Sequence, residues 1–74
     1  MNRKWHFDGT VGIYMQEAGE KQEVIARIMQ VGKQWAVMLP NEGASTASAF
    51  RGDKETAMVC AEQLVAKIRN EGVR

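Results

Sequence analysis

The run from Val24 to Val31, interrupted by Gly32-Lys33 and resumed from Gln34 to Leu39, constrains this chain more than any other feature. β-Branched, aromatic and other apolar residues dominate both halves, and glycine at the first position of a two-residue connection suits a type II′ turn, whose twist matches the strands it joins. That turn dictates the pairing: Val31 faces Gln34, Gln30 faces Trp35, Ile28 faces Val37 and Ala26 faces Leu39. Alternation then puts the last three pairs on one face and Ile25, Arg27, Met29, Ala36 and Met38 on the other. A sheet with one wet face alternates apolar and polar residues, whereas both faces here are largely apolar. Both faces therefore need cover.

The rest of the chain reads as an extension of this hairpin. Asp8-Gly9, Gly19-Glu20 and Pro40-Asn41-Glu42-Gly43 mark further turns, the punctuation of an antiparallel meander. Trp5-His6-Phe7 and Val11 to Met15 form a second hairpin around Asp8-Gly9-Thr10. Alternation favours Trp5 and Phe7 on the same side as Val11, Ile13 and Met15, with the loop register left open, since a slip of one residue flips every side chain. Glu17 to Glu23, polar and glycine-containing, reads as a connecting loop. Ser45 to Phe50 reads as a short strand at the sheet edge.

After Asp53 the period changes. Asp53 is an N-cap, Glu55 sits in the first turn, Lys67 and Arg69 lie in the last turns and Gly72 suits a left-handed stop, so 54–71 is expected to be helical. Ala57, Ala61, Leu64 and Ile68 fall on one stripe, flanked by Met58, Val65 and Cys60, with Glu55, Glu62, Gln63 and Arg69 on the far side. Val59 and Ala66 add a shallow apolar strip on the outside. The expected fold class is α+β: an antiparallel β-meander of four to five strands over 4–50, followed by one C-terminal helix packed on one sheet face, in a single domain spanning 1–74.

Size and charge narrow the functions. With 74 residues the chain sits near the lower limit for a self-sufficient core. Ten Lys and Arg against nine Asp and Glu leave a net charge of +1, which argues against a partner held mainly by electrostatics. The single Cys60 cannot form an internal disulfide, the N-terminus is not a secretory signal, and no apolar run is long enough to span a membrane, so a cytoplasmic protein without membrane attachment is expected. His6 and Asp8 share a strand face but lack an activated nucleophile, and one thiol with one histidine does not make a zinc site. No enzyme activity, cofactor or metal is expected. Cys60, beside the helix stripe, reads as a small hydrophobe.

A helix about 10–12 Å across covers roughly half of a sheet about 19–24 Å wide. The face away from Trp35, Val37 and Leu39 thus reads as an interaction surface carried by Ile25, Met29, Val31, Ala36 and Met38, with a second copy or another protein as its partner. The competing structural reading folds the N-terminal hairpin across this face as a small closed barrel. The competing functional reading is a nucleic-acid surface, with Trp5 and Tyr14 stacking on bases and Arg3, Lys4, Arg27 and Lys33 meeting phosphates. Against it stands a pI of about 7.9, below the basic range of dedicated nucleic-acid domains.

From Trp35 onward, the order Trp35-Ala36-Val37, then Glu42-Gly43-Ala44-Ser45, then Phe50 and a helix carrying Lys54, Ala57, Ala61 and Leu64 resembles a family of small uncharacterised bacterial proteins. These pair a W-A-V strand and an E-G-A-S turn with an alanine-rich closing helix. The match spans Val31 to Ile68, about half the chain, and implies a β-meander closed by a helix. It brings no established activity, so no site residue carries over. The compact size, polar N-terminus and absence of an enzyme motif also resemble phage or mobile-element accessory proteins.

Overall fold

The computed structural model describes residues 2–70. Five strands, β1 (Asn2–Asp8), β2 (Val11–Ala18), β3 (Lys21–Val31), β4 (Gln34–Met38) and β5 (Ala49–Arg51), form one antiparallel sheet in the order β1-β2-β3-β4-β5, and α1 (Lys54–Ile68) follows. This is the expected α+β meander with a closing helix. β1 and β5 are its two edges, so the sheet stays open and the closed-barrel alternative does not form.

One device builds the first three turns. Asp8↔Val11, Ala18↔Lys21 and Val31↔Gln34 each flank a two-residue loop that begins with glycine, and Gly9, Gly19 and Gly32 have φ of 62°, 65° and 62°. Lys33 has no positive φ, as a type II′ turn requires of its second central residue. The β3–β4 register is the expected one, with Gln30 opposite Trp35 and Ile28 opposite Val37. β4 ends at Met38, so Ala26 and Leu39 are not paired.

Four expectations need correction. Trp5 lies opposite Tyr14 and Phe7 opposite Gly12, so the two aromatics share a side with Gly12 and Tyr14, and Val11, Ile13 and Met15 point the other way. The glycine-first turn at Gly9-Thr10 leaves no other pairing. Glu17 to Glu23 is not a loop, because β2 and β3 stay paired as far as Ala18↔Lys21; its polarity reflects an exposed hairpin tip. Ser45 to Phe50 is split into a 3₁₀ turn at Ala44–Thr46 and a strand that starts only at Ala49. Finally, the pairing jumps from Tyr14↔Ala26 to Met15↔Val24, making Ile25 the extra residue of a β-bulge and turning it toward the helix.

The core lies between the sheet and α1. Tyr14, Ile25, Ala26, Ile28 and Val37 meet Ala57, Ala61 and Val65 of the helix. Small residues at positions i and i+4 let the helix lie close over β3, β4 and β5. The stripe thus runs through Val65, with Leu64 half-buried at its flank; Ile68, expected in it, is 58% exposed. Asp53 caps α1, its carboxylate accepting from the Thr56 backbone N–H at 3.1 Å and the Thr56 hydroxyl at 2.8 Å. These two bonds, the backbone one first, hold the Asp53 carboxyl below its ordinary range. The helix closes at Arg69, and Asn70 takes the left-handed conformation at φ 58°; the expected stop at Gly72 lies outside the described residues.

Candidate functional site

The two faces of the sheet are finished differently. On the helix side, α1 lies mainly over β3, β4 and β5, and the remaining width is roofed by aromatic rings. Trp5 stacks on Tyr14 at 4.7 Å between centroids and on Phe7 at 5.7 Å. The Trp5 indole N–H donates to the Glu62 carboxylate at 2.9 Å, joining this roof to the helix. Lys54 sits 4.6 Å above the Phe7 ring. Gly12 makes the arrangement feasible, since a Cβ there would lie 2.5 Å from the Phe7 ring and 3.0 Å from Ile28.

The opposite face has no such roof. Register places Val11, Met29, Ala36 and Phe50 in one row across β2 to β5, and Ile13, Arg27 and Met38 in the next. Met15 and Val24 continue the patch. Val11, Ile13, Met15, Val24 and Met29 are each half-buried by their in-sheet neighbours, and Phe50 is 41% exposed. Contiguous apolar patches larger than a few hundred Å² are uncommon on monomeric chains.

The polar groups near its middle are already occupied within the chain. Arg27, in the middle of the face, donates to the backbone carbonyls of Pro40 and Glu42. The Glu42 carboxylate accepts from the Leu39 backbone N–H at 2.9 Å and from the Ser48 hydroxyl at 2.8 Å; these bonds, the Leu39 one first, hold its carboxyl below the ordinary range. At the rim Lys4 pairs with Glu17 at 3.3 Å. Covering the middle of this face would therefore strand neither Arg27 nor Glu42, and an unpaired charge left inside a contact is what most reduces the gain from apolar burial.

The residues expected to form the interaction face are sorted by this geometry. Met29 lies on it and is accessible, and Val31 continues its side of β3 at the strand end, 41% exposed. Ala36 and Met38 point the same way but are buried among their neighbours, at 0% and 2% exposure. Ile25 does not belong to the face: the bulge carries it into the helix-side core, 3% exposed. Sequence reasoning missed Val11, Ile13, Met15 and Phe50. A glycine-first turn at Gly9 equal to that at Gly32 was the signal that would have placed the first three.

The nucleic-acid candidates are divided rather than gathered. Trp5 and Tyr14 stand on the helix side, where Tyr14 is buried and the Trp5 indole N–H is bonded to Glu62. Arg3, on that side, donates to Gln16 at 2.9 Å. Lys4 and Arg27 lie on the opposite face, and Lys33 is in the β3–β4 turn. Of the candidate cations, only Arg3 shares a side with the two aromatics.

A shallow pocket of about 230 Å³ opens where the end of α1 meets the chain after β4, lined by Ile25, Leu39, Pro40, Val65, Ile68 and Arg69 among others. Arg69 at its rim pairs with Glu23 at 3.5 Å. Cys60 is half-buried beside the core. Among the described residues no group of three His, Cys, Asp or Glu side chains could hold a metal ion, and no helix is long and apolar enough to cross a membrane. No protein-family model, curated protein or solved structure matches this chain.

Proposed function

We propose that this chain is a small protein-interaction module that pairs with a second copy of itself through the sheet face opposite α1. The observation that carries this reading is the contrast in cover: helix and stacked aromatics roof one face, while Val11, Ile13, Met15, Met29 and Phe50 line the other, with Arg27 at its middle bonded within the chain. A second copy is the economical occupant, because a two-fold contact buries the same patch twice and enlarges the core of a 74-residue chain. Flexible Met15 and Met29 side chains suit an adaptable contact. A role as a cytoplasmic accessory protein of a phage or mobile element belongs to this reading.

The test is the solution mass of the wild-type chain and of Phe50→Glu and Met29→Glu, with pooled DNA and RNA added in parallel. Each substitution is expected to halve the mass while leaving the circular dichroism spectrum unchanged. Folded variants of unchanged mass overturn the reading, and a mass that rises only with nucleic acid replaces it with the nucleic-acid one. Met38→Glu is unsuitable, since it would bury a carboxylate at a position 2% exposed.

A further inference from the structure

The sheet has two edges of very different length. β5 offers three residues, whereas β1 offers seven and pairs only with β2. The turn geometry decides which backbone groups of β1 face outward. Asp8 and Val11 flank a two-residue turn and so form a hydrogen-bonded pair, after which the pairs alternate. His6 and Lys4 therefore direct their N–H and C=O groups to β2, while Arg3, Trp5 and Phe7 direct theirs to the free edge. A row of outward N–H and C=O groups is a template for another strand.

The side chains on that edge complement themselves when the strand is reversed. Alternation places Lys4, His6 and Asp8 on the open-face side and Trp5 and Phe7 on the helix side. Turning a second β1 antiparallel about an axis through His6 sets Lys4 opposite Asp8 of the second copy, twice, so that an ammonium 3.3 Å from Glu17 in its own chain gains a second carboxylate. The same operation sets Trp5 opposite Phe7 of the second copy, both with outward backbone groups, so each of those two pairs exchanges two backbone hydrogen bonds. Moving the axis to Trp5 would add one hydrogen-bonded pair but would place Lys4 against His6 and Asp8 against Asn2, leaving neither carboxylate a cation. Charges on an edge ordinarily discourage indiscriminate pairing; here they select one register.

We propose that β1 pairs antiparallel with β1 of a second copy about a two-fold axis at His6, in the register set by two Lys4–Asp8 pairs, giving a continuous ten-stranded sheet. This contact goes beyond the face contact and shares none of the apolar side chains on which that reading rests. Five residues of edge strand bury little area, so the contact is weak alone and is read by trapping rather than by mass.

The experiment is disulfide trapping of His6→Cys under mild oxidation, with peptide mapping to separate a link between the two introduced thiols from links to Cys60. Residues opposite each other in a non-hydrogen-bonded antiparallel pair have Cα atoms about 4.5 Å apart, within the range a disulfide spans. His6→Cys is expected to crosslink faster than Thr10→Cys, an exposed position off the axis. Adding Asp8→Lys should slow trapping about tenfold through like charges, and adding Lys4→Glu to that chain should restore it. Lys4, His6 and Asp8 lie at the sheet edge outside the core, so these chains are expected to fold, and circular dichroism confirms it. Trapping no faster than at Thr10, or indifferent to charge reversal, overturns the proposal. Repeating the experiment in Phe50→Glu keeps it apart from the face reading: trapping should persist there, and its loss would show that the face rather than the edge brings the two residues together.

Discussion

The helix side and the open side of this sheet use the same five strands and similar residues, yet Ile28 and Val37 on one side are completely buried while on the other Ala36 and Met38 are buried but Ile13, Met15 and Met29 are only half-buried. The difference comes from where the chain places its covering elements. α1 and the stack of Trp5 with Tyr14 and Phe7 both lie on one side, and among the described residues no helix lies on the other. A small meander with a single helix is thus one-sided by construction, and an apolar second face states a need for cover that the chain alone does not meet.

The largest expected effect contrasts the two sides directly. Ile28→Ala should cost about 2–5 kcal/mol, because it opens a cavity under the helix. Ile13→Ala, measured by urea unfolding at a dilution where the chain is monomeric, should cost well under half as much as Ile28→Ala. Equal costs would mean that the open face is already packed within one chain. Next comes Gly12→Ala, which pushes the Phe7 ring off the sheet and presses on Ile28, with an expected cost of about 1–3 kcal/mol; the tryptophan fluorescence of the stacked Trp5 should change with it. An unchanged spectrum would show that the aromatic roof does not depend on the missing side chain.

Smaller effects come from the two carboxylates that hold the start of α1 and the β4–β5 connection. Asp53→Ala removes the α1 cap and should lower the midpoint of thermal or urea unfolding, by less than Ile28→Ala does. Both Asp53 and Glu42 are held below their ordinary values of 3.8 and 4.5, so the unfolded chain takes up their protons first. Their contribution to stability is fully present above those ordinary values and is lost as pH falls through the lower folded ones. Unfolding followed from about pH 6 to about pH 3 should show this decline, and Asp53→Asn with Glu42→Gln should flatten it. A wild-type slope that survives both substitutions would place the acid sensitivity elsewhere.

Much of the helix side was legible in the sequence, and the open side much less so. The Gly32-Lys33 turn set the β3–β4 register, which placed Trp35, Val37, Ile28 and Ala26 correctly. The same device at Gly9-Thr10 carried the same information for β1 and β2, but the alternation of Trp5, Phe7, Val11 and Ile13 suggested a register one residue away. That slip hid Val11, Ile13 and Met15 from the open face. Ile25 could not be read, because a bulge between Tyr14 and Met15 needs no glycine and leaves no mark in the local pattern. Ile68 fits the helix period yet lies beyond the core, a fact of tertiary length rather than of periodicity.

The central claim, that a second copy covers the open face, is tested most directly by isotope-filtered NOE spectroscopy on a mixture of chains with labelled methionine methyl groups and unlabelled chains. Intermolecular cross-peaks from Met29 and Met15 methyls to apolar residues of the unlabelled copy, such as Phe50 and Val11, are the predicted result. Their absence at millimolar concentration, with intrachain cross-peaks intact, would contradict it.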